Sequence, residues 1–257
     1  MFVRDAISGD AVKLGIATYN IHKGLSHFNQ RMVLHEARER LRALNVDIVF
    51  LQEVQGANRL HQNRFHDWPR EPSYEFLADQ MWSDFSYGRN AVYDHGHHGN
   101  AILSRYTIVA SENQDVSDHR FERRGLLHCE IDWLGQPLHC MCVHLALHER
   151  GRRRQLAALI DRIGQSVPRD APLVVAGDFN DWRDNAGRRL AEALGMREAF
   201  RTHHGRSPRT FPSRFPLLSL DRIYVRGFNV LGAEVHHGHP WTRLSDHAAL
   251  SARLEKA

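Results

Sequence analysis

Short apolar runs that stop at a polar side chain recur along this chain. Leu173-Val174-Val175-Ala176 leads through Gly177 into Asp178-Phe179-Asn180. A run this short and this rich in Val reads as a buried strand, and Gly177 lets the backbone turn where the strand stops. Asp178 and Asn180 then sit at the strand's carboxyl end, where open α/β sheets gather ligand groups. The same grammar predicts strands over 14–20, ending in Asn20, over 47–54, carrying Glu53, and over 100–104, with Asn100 at its mouth. Residues 125–131 and 138–145 read as a hairpin around Gly135-Gln136-Pro137, and its second strand delivers His144. Two further runs, 220–225 and 244–252, put their polar groups first, Asp221 in one and Asp246-His247 in the other. If all these groups share one end of the sheets, the last two strands run opposite to the others.

Between the strands the period changes. Val33, Ala37, Leu41 and Leu44 fall on one face of a helix over 31–44, and Leu156, Leu159, Ile160 and Ile163 on one face of a helix over 150–163. Shorter helices are expected over 74–82 and 186–194. Residues 58–72 are polar and read as a surface loop, and 88–99 as a glycine- and histidine-rich loop. Many strands with helices between some of them imply an α/β fold of two mixed sheets packed face to face and flanked by helices. No linker or repeat divides the chain, so the whole of 1–257 reads as one domain, with residues 1–10 as a flexible start.

Composition narrows this only a little. The 257 residues are 42% hydrophobic and 25% charged, enough for a closed core. Nothing resembles a membrane span, and the mixed, charged stretch 1–10 is no signal peptide. Three cysteines, two of them on one strand face, read as buried thiols in a reducing cytoplasm. The net charge of +4 suits a phosphate-bearing partner. Arg150, Arg152, Arg153 and Arg154 open a helix where its dipole disfavours cations, and they read as a solvated face.

The strand mouths collect Asn20, Glu53, Asn100, His144, Asp178, Asn180, Asp221, Asp246 and His247: four acids, three amides and two histidines. Each alone has an ordinary explanation, since Asp and Asn commonly end strands as turn residues. Independent strand ends should nevertheless show varied punctuation, and these do not. Metal-assisted displacement at phosphorus uses such a set. Carboxylates hold a hard cation, a carboxylate deprotonates water, and a histidine stabilises phosphoryl oxygens or supplies a proton. On this reading Asp221 orients His247 and Asn100 orients His144.

The series Thr18-Tyr19-Asn20-Ile21-His22, Leu51-Gln52-Glu53-Val54, Gly99-Asn100-Ala101-Ile102, Val143-His144-Leu145, Gly177-Asp178-Phe179-Asn180, Leu220-Asp221-Arg222-Ile223 and Ser245-Asp246-His247 resembles the endonuclease/exonuclease/phosphatase superfamily of deoxyribonuclease-I-like phosphoesterases. The order matches over nearly the whole chain, and the nearest resemblance is to uncharacterised bacterial cytosolic members. The resemblance implies a four-layer α-β-β-α sandwich and a Mg²⁺- or Mn²⁺-dependent phosphodiesterase using activated water. It implies Glu53, Asp246 and Asn20 as metal residues, and Asp178, His247, His144, Asp221 and Asn180 as catalytic ones. Asn180, Asn100, Arg209 and Thr210 are the expected substrate contacts. Asn100 departs from the family, whose deoxyribonuclease branch carries an acid there.

The substrate is open at this point. Residues 59–70 and 203–214 are candidate nucleic-acid loops, while a small-molecule or phospholipid head-group diester fits the same chemistry. No stretch argues for membrane insertion or an obligate protein partner. A different class of reading is a non-catalytic metal-binding module, with zinc held by His95, His97, His98, His236, His237 and His239.

Overall fold

The computed structural model describes residues 12–118 and 122–257; the expected flexible start over 1–10 lies outside them. Two six-stranded sheets form the centre. The first contains β1 (Lys13–Asn20), β2 (Ile48–Asn58), β3 (Asp84–Tyr93), β4 (Gly96–Ser104), β11 (Phe228–His236) and β12 (Ala249–Lys256), in the order β11-β12-β1-β2-β4-β3. The second contains β5 (Ile108–Asp115), β6 (Gly125–Trp133), β7 (Gln136–His144), β8 (Leu173–Asp178), β9 (Arg197–Glu198) and β10 (Asp221–Arg226), in the order β5-β6-β7-β8-β10-β9. The helices are α1 (Leu34–Ala43), α2 (Arg59–Arg64), α3 (Ser73–Ala78), α4 (Glu149–Ser166), α5 (Asn185–Leu194) and α6 (Ala199–His204).

Strand alternation sorts the side chains into three apolar layers. Leu14 and Ile16 of β1, Phe50 of β2 and Ile102 of β4 meet Cys140 and Cys142 of β7, Val174 and Ala176 of β8, and Ile223 and Val225 of β10 between the sheets. Their sequence neighbours face outward. Tyr19, Leu51 and Leu103 pack against Leu34, Leu41 and Leu77 of α1 and α3. Val143, Leu173 and Val175 pack against Leu156, Leu159, Ile163 and Leu190 of α4 and α5. The fold is therefore the four-layer α-β-β-α sandwich. The sheets are mixed as expected: β1 and β2 are parallel, as are β7 and β8, while β12 is antiparallel to β1 and β10 to β8.

Two expected loops are ordered structure. Residues 58–72 contain α2, begun by Asn58, whose side-chain oxygen accepts from His61 N at 3.0 Å. An Asn ahead of a run of long polar residues is a helix-start signal. Residues 88–99 lie mostly in the β3–β4 hairpin, and their glycines serve close approach instead of flexibility. A Cβ on Gly99 would lie 1.8 Å from Gly88 O, and one on Gly96 2.0 Å from Ala57 O. Gly177 also differs from expectation. The strand runs through it with φ 145°, and a Cβ there would meet Val143 O of β7 at 2.0 Å. It marks tight strand packing and not a turn.

Candidate active site

Alternation carries the inner faces of the sheets to their polar ends. Continuing 140 and 142 gives His144, continuing 174 and 176 gives Asp178, and stepping back from 223 gives Asp221. Register aligns them, because His144 pairs with Asp178 across β7–β8 and Asp178 with Asp221 across β8–β10. From the facing sheet, β1 brings Asn20, and the segment entering β12 brings His247.

The Asp178 carboxylate is the meeting point. Its Oδ1 accepts from Asn180 N at 3.0 Å and its Oδ2 from Asn20 Nδ2 at 3.2 Å. His144 Nε2 lies 3.4 Å and His247 Nε2 3.7 Å from the same Oδ2. His247 Nδ1 is 2.9 Å from Asp221 Oδ2, the expected orienting contact. All of these residues are buried. Burial pushes the Asp178 carboxyl up to about 6; a charged His247 opposes this and Asp221 reinforces it. Burial would pull His247 down, but the Asp221 and Asp178 carboxylates outweigh it and hold the ring cationic, its pKa raised to about 10. Burial, with the Arg124 and His247 charges nearby, keeps His144 well below the usual histidine range, so this ring is neutral. One acid poised near neutrality therefore faces one cationic and one neutral imidazole, a set that can accept a proton at one atom and deliver one at another.

The other expected residues occupy different places. Asn180 has φ 50° and donates one amide N–H to Leu145 O at 2.9 Å, leaving the second N–H of that group for a ligand. Asn20 is engaged at both ends of its amide, since Oδ1 accepts from His22 N at 3.1 Å. It braces Asp178 directly. Asn100 does not orient His144. Its Nδ2 donates to Gly125 O at 3.0 Å and Cys142 O at 3.4 Å, tying the two sheets together from a fully buried position. Thr210 is buried too, and its hydroxyl accepts from Leu220 N and Asp221 N, both at 3.3 Å, which fixes the backbone at Asp221. Arg209 is exposed on the same loop.

Glu53 lies outside the tight cluster of Asp178, Asp221 and His247, whose ligand atoms fall within 4.8 Å of one another. It has φ 55° at a break in β2–β4 pairing between Leu51 and Val54. Left-handed backbone at a non-glycine costs on the order of 1–3 kcal/mol and collects at functional sites. Its Oε2 is buried without a hydrogen bond, and Lys23 Nζ stands 3.7 Å away. Asp246 is half-buried, with Oδ1 accepting from Ser245 Oγ at 3.3 Å. A buried carboxylate oxygen that accepts no hydrogen bond fits a hard divalent cation, which takes oxygen ligands. The Asp178–Asp221–His247 group is a second set of ligand atoms close enough to hold an ion.

Several contributors were not identified from sequence. Lys23 follows Asn20 in a left-handed stretch, φ 59°. The fully buried Arg222 donates to Asp221 O at 3.1 Å and Asp181 O at 3.3 Å, fixing the backbone beside Asp221. The Asp-Arg pair of 221–222 was the available signal. Arg152 departs from the solvated-face reading. It is buried, donates to Ala146 O at 3.1 Å and Leu147 O at 2.6 Å, and lies 4.8 Å from the Trp182 ring centre. Arg150, Arg153 and Arg154 are in the open pocket along α4, with Arg154 paired to Asp118.

The two histidine tracts cannot share an ion. Strands β4 and β11 are four positions apart in the first sheet, about 19 Å at the usual strand spacing. His97 and His98 are hydrogen-bonded instead to Tyr87 and Tyr93, and His236 to Ser251.

Sequence comparison agrees with this geometry. The pattern of the Endonuclease/Exonuclease/phosphatase family matches residues 17–247. The chain is 50% identical over 241 residues to "Uncharacterized protein YbhP" of Escherichia coli K12, covering 93% of this chain and 95% of that one. Among solved structures, an endonuclease/exonuclease/phosphatase from Bacteroides vulgatus superposes with a TM-score of 0.74 at 21% identity, covering 96% of this chain and all (100%) of that one. D. rerio TDP2 complexed with a single-strand DNA product superposes with a TM-score of 0.71 at 19% identity, covering 95% and 99%. At such identities the structural likeness shows the fold, while the sequence match decides membership: the chain belongs to the endonuclease/exonuclease/phosphatase family.

Proposed function

We propose that this protein is a Mg²⁺- or Mn²⁺-dependent phosphodiesterase of nuclease type, folded as one catalytic domain. Family membership supports a phosphoester hydrolase. The observation that carries the finer reading is the convergence of Asn20, His144 and His247 on one oxygen of a buried, raised-pKa Asp178.

Asp178, its carboxylate aimed by Asn20 and by the Asn180 backbone N–H, takes the proton of a water that attacks phosphorus in line. As the new oxygen–phosphorus bond forms, the bond to the leaving oxygen breaks. His247, held cationic by Asp221, supplies hydrogen-bond stabilisation to the phosphoryl oxygens and the proton for the leaving alkoxide. His144 and the free N–H of Asn180 donate to the phosphoryl oxygens. Glu53 and Asp246, with Asn20 beside them, would hold the cation, which when bound neutralises charge on a phosphoryl oxygen. Asp221, Thr210 and Arg222 are positioning residues.

The buried, unpaired Cys129, Cys140 and Cys142 support a cytoplasmic setting. No helix among the described residues is long and apolar enough to cross a membrane. A phospholipid head-group diester is the second reading, favoured by exposed Phe215 and Leu217 on the 211–218 loop. The test is hydrolysis of bis-p-nitrophenyl phosphate, single- and double-stranded DNA, RNA and phospholipid diesters with Mg²⁺, Mn²⁺ or EDTA. The reading expects turnover restored by either cation and abolished by EDTA, with a nucleic acid as the preferred natural substrate. Undiminished turnover in EDTA would refute metal dependence.

A further inference from the structure

Three connections meet in a pocket that the catalytic scheme does not use. The pocket, about 320 Å³, is lined by Ser26, His27, Phe28, Gln30 and Arg31 after β1, and by Arg214 and Arg243. Such a volume is at the small end of ligand sites and has room for one nucleotide unit. It is joined to the active site by hydrogen bonds. Ser213 N donates to Asp246 O and Ser213 Oγ to Ser245 O, both at 2.7 Å, and Ser245 Oγ lies 2.7 Å from Asn20 O. Arg214 is the next residue after Ser213. Arg243 is three residues before Asp246, which bounds their Cα separation to about 11 Å.

Phe28 is the telling residue. It is 75% exposed, in left-handed backbone with φ 66°, and Asn29 beside it has φ 57°. A bulky side chain in that conformation is strained, and the strain here secures no burial. The His27 ring, 4.0 Å from it between centres, is its one ring contact among the described residues. Three arginines line the same pocket. Arg31 is paired with Glu36, while Arg214 and Arg243 form no ion pair among the described residues. An exposed aromatic face in a pocket shared with two arginines that form no ion pair among the described residues matches a planar base with an adjoining phosphate. An acyl chain would need a continuous apolar wall, which Ser26, His27, Gln30 and the arginines do not provide.

We propose that this pocket is a nucleotide subsite: a base stacks on Phe28, the adjoining phosphate is held by Arg214 and Arg243, and the strand continues to the Asp178 centre. The substrate is then a polynucleotide with at least one unpaired base next to the scissile phosphate, because a base inside a duplex cannot present its face to Phe28. The substrate assignment rests on the diesterase reading; the binding site itself does not.

The experiment is fluorescence anisotropy of a labelled single-stranded oligonucleotide in EDTA, so that binding is read without turnover, with bis-p-nitrophenyl phosphate hydrolysis run separately in Mg²⁺. Loss of one stacked base should weaken binding roughly tenfold in Phe28→Ala, with Phe28→Trp retaining it. Arg214→Ala/Arg243→Ala should weaken it further and reduce the slope of log Kd against log salt by about 1.4, the single-strand value for two phosphates. Arg150→Ala/Arg153→Ala removes equal charge on α4 and should change binding less than threefold. A blunt duplex should bind less tightly than the single strand and be indifferent to Phe28→Ala. The small diester should be hydrolysed equally by all these variants.

Three results overturn the subsite: Phe28→Ala binding within twofold of the parent, equal loss in the α4 control, or tighter binding of anionic phospholipid vesicles with the same dependence on Phe28. Failure of the diesterase reading looks different. The oligonucleotide would still bind through Phe28, Arg214 and Arg243 while the small diester remained intact in every metal.

Discussion

Replacing Asp221 by Asn probes the electrostatic core of the site with almost no change in shape. The buried Asp221 Oδ2 is 2.9 Å from His247 Nδ1. The amide can still accept from that ring, so the loss is the charge and not the contact. A charge-assisted hydrogen bond exceeds a neutral one by about 1–1.5 kcal/mol, which sets the floor. Unit charges at that distance attract by about 6 kcal/mol at an effective dielectric of 20, which sets the ceiling before the cost of burying the ions is subtracted. Asp178 remains 3.7 Å from the other ring nitrogen and retains part of the attraction. A loss of about 2–3 kcal/mol in the transition state follows, roughly a 30- to 150-fold fall in kcat with little change in KM. Folding stability should move by less than about 1 kcal/mol, since repulsion between Asp178 and Asp221 is relieved as the attraction to His247 is lost. The assay is saturating turnover of bis-p-nitrophenyl phosphate with a parallel urea melt. If Asp221 acts through His247, the double variant Asp221→Asn/His247→Ala should be no slower than His247→Ala alone. Multiplying losses in the double variant, or a kcat within threefold of the parent, would refute the orienting role.

Other parts of the site make separate predictions. Glu53→Gln should weaken Mn²⁺ binding at least tenfold by isothermal titration calorimetry while the urea midpoint stays put; unchanged affinity would remove Glu53 from the metal site. Thr210→Val removes the acceptor for two backbone donors in a fully buried position, and should cost about 1–3 kcal/mol in urea unfolding and lower kcat as well; a variant as stable and active as the parent would contradict its positioning role. A pH effect on stability should come from the His128–His139 pair, 3.1 Å apart under α4. Burial and the neighbouring His139 and Arg162 lower His128 to about 4. For this group the unfolded chain binds protons from about pH 6.5 downward while the folded chain does not, so its contribution to stability is lost as the pH drops from 6.5 to 4, against Asp178, whose raised pKa favours the folded state in the same window. The parent's urea midpoint minus that of His128→Gln should therefore fall over that range; a difference that grows on acidification would contradict the sign.

Much of this architecture is written in local pattern. Val-rich runs identified the central strands, and the side on which each polar group stands gave their mixed directions, because a strand's direction decides which of its ends reaches the shared mouth. Asp178, His144, Asp221 and Asn20 were legible for the same reason. They extend an alternation that begins in the core. The residues that break alternation were harder to place. Glu53 lies at a pairing break with left-handed backbone, and no local pattern signals that. Asn100 and Thr210 looked like site residues because they stand beside the site in sequence, yet each is turned into the framework by partners distant in the chain. The hairpin over 84–104 was obscured because its glycines are demanded by neighbouring backbone, a requirement that exists only once the strands pair. Lys23 and Arg222 act through partners 30 and 41 residues away, beyond the reach of any window pattern.

The most direct test of the central claim is the Mg²⁺-supported hydrolysis of bis-p-nitrophenyl phosphate by the parent protein and by Asp178→Asn, with unfolding curves on both. If Asp178 is the base that activates water, the variant should fold normally and turn over at least about a hundredfold more slowly. A folded Asp178→Asn variant that keeps more than a tenth of the parent's activity would contradict the account.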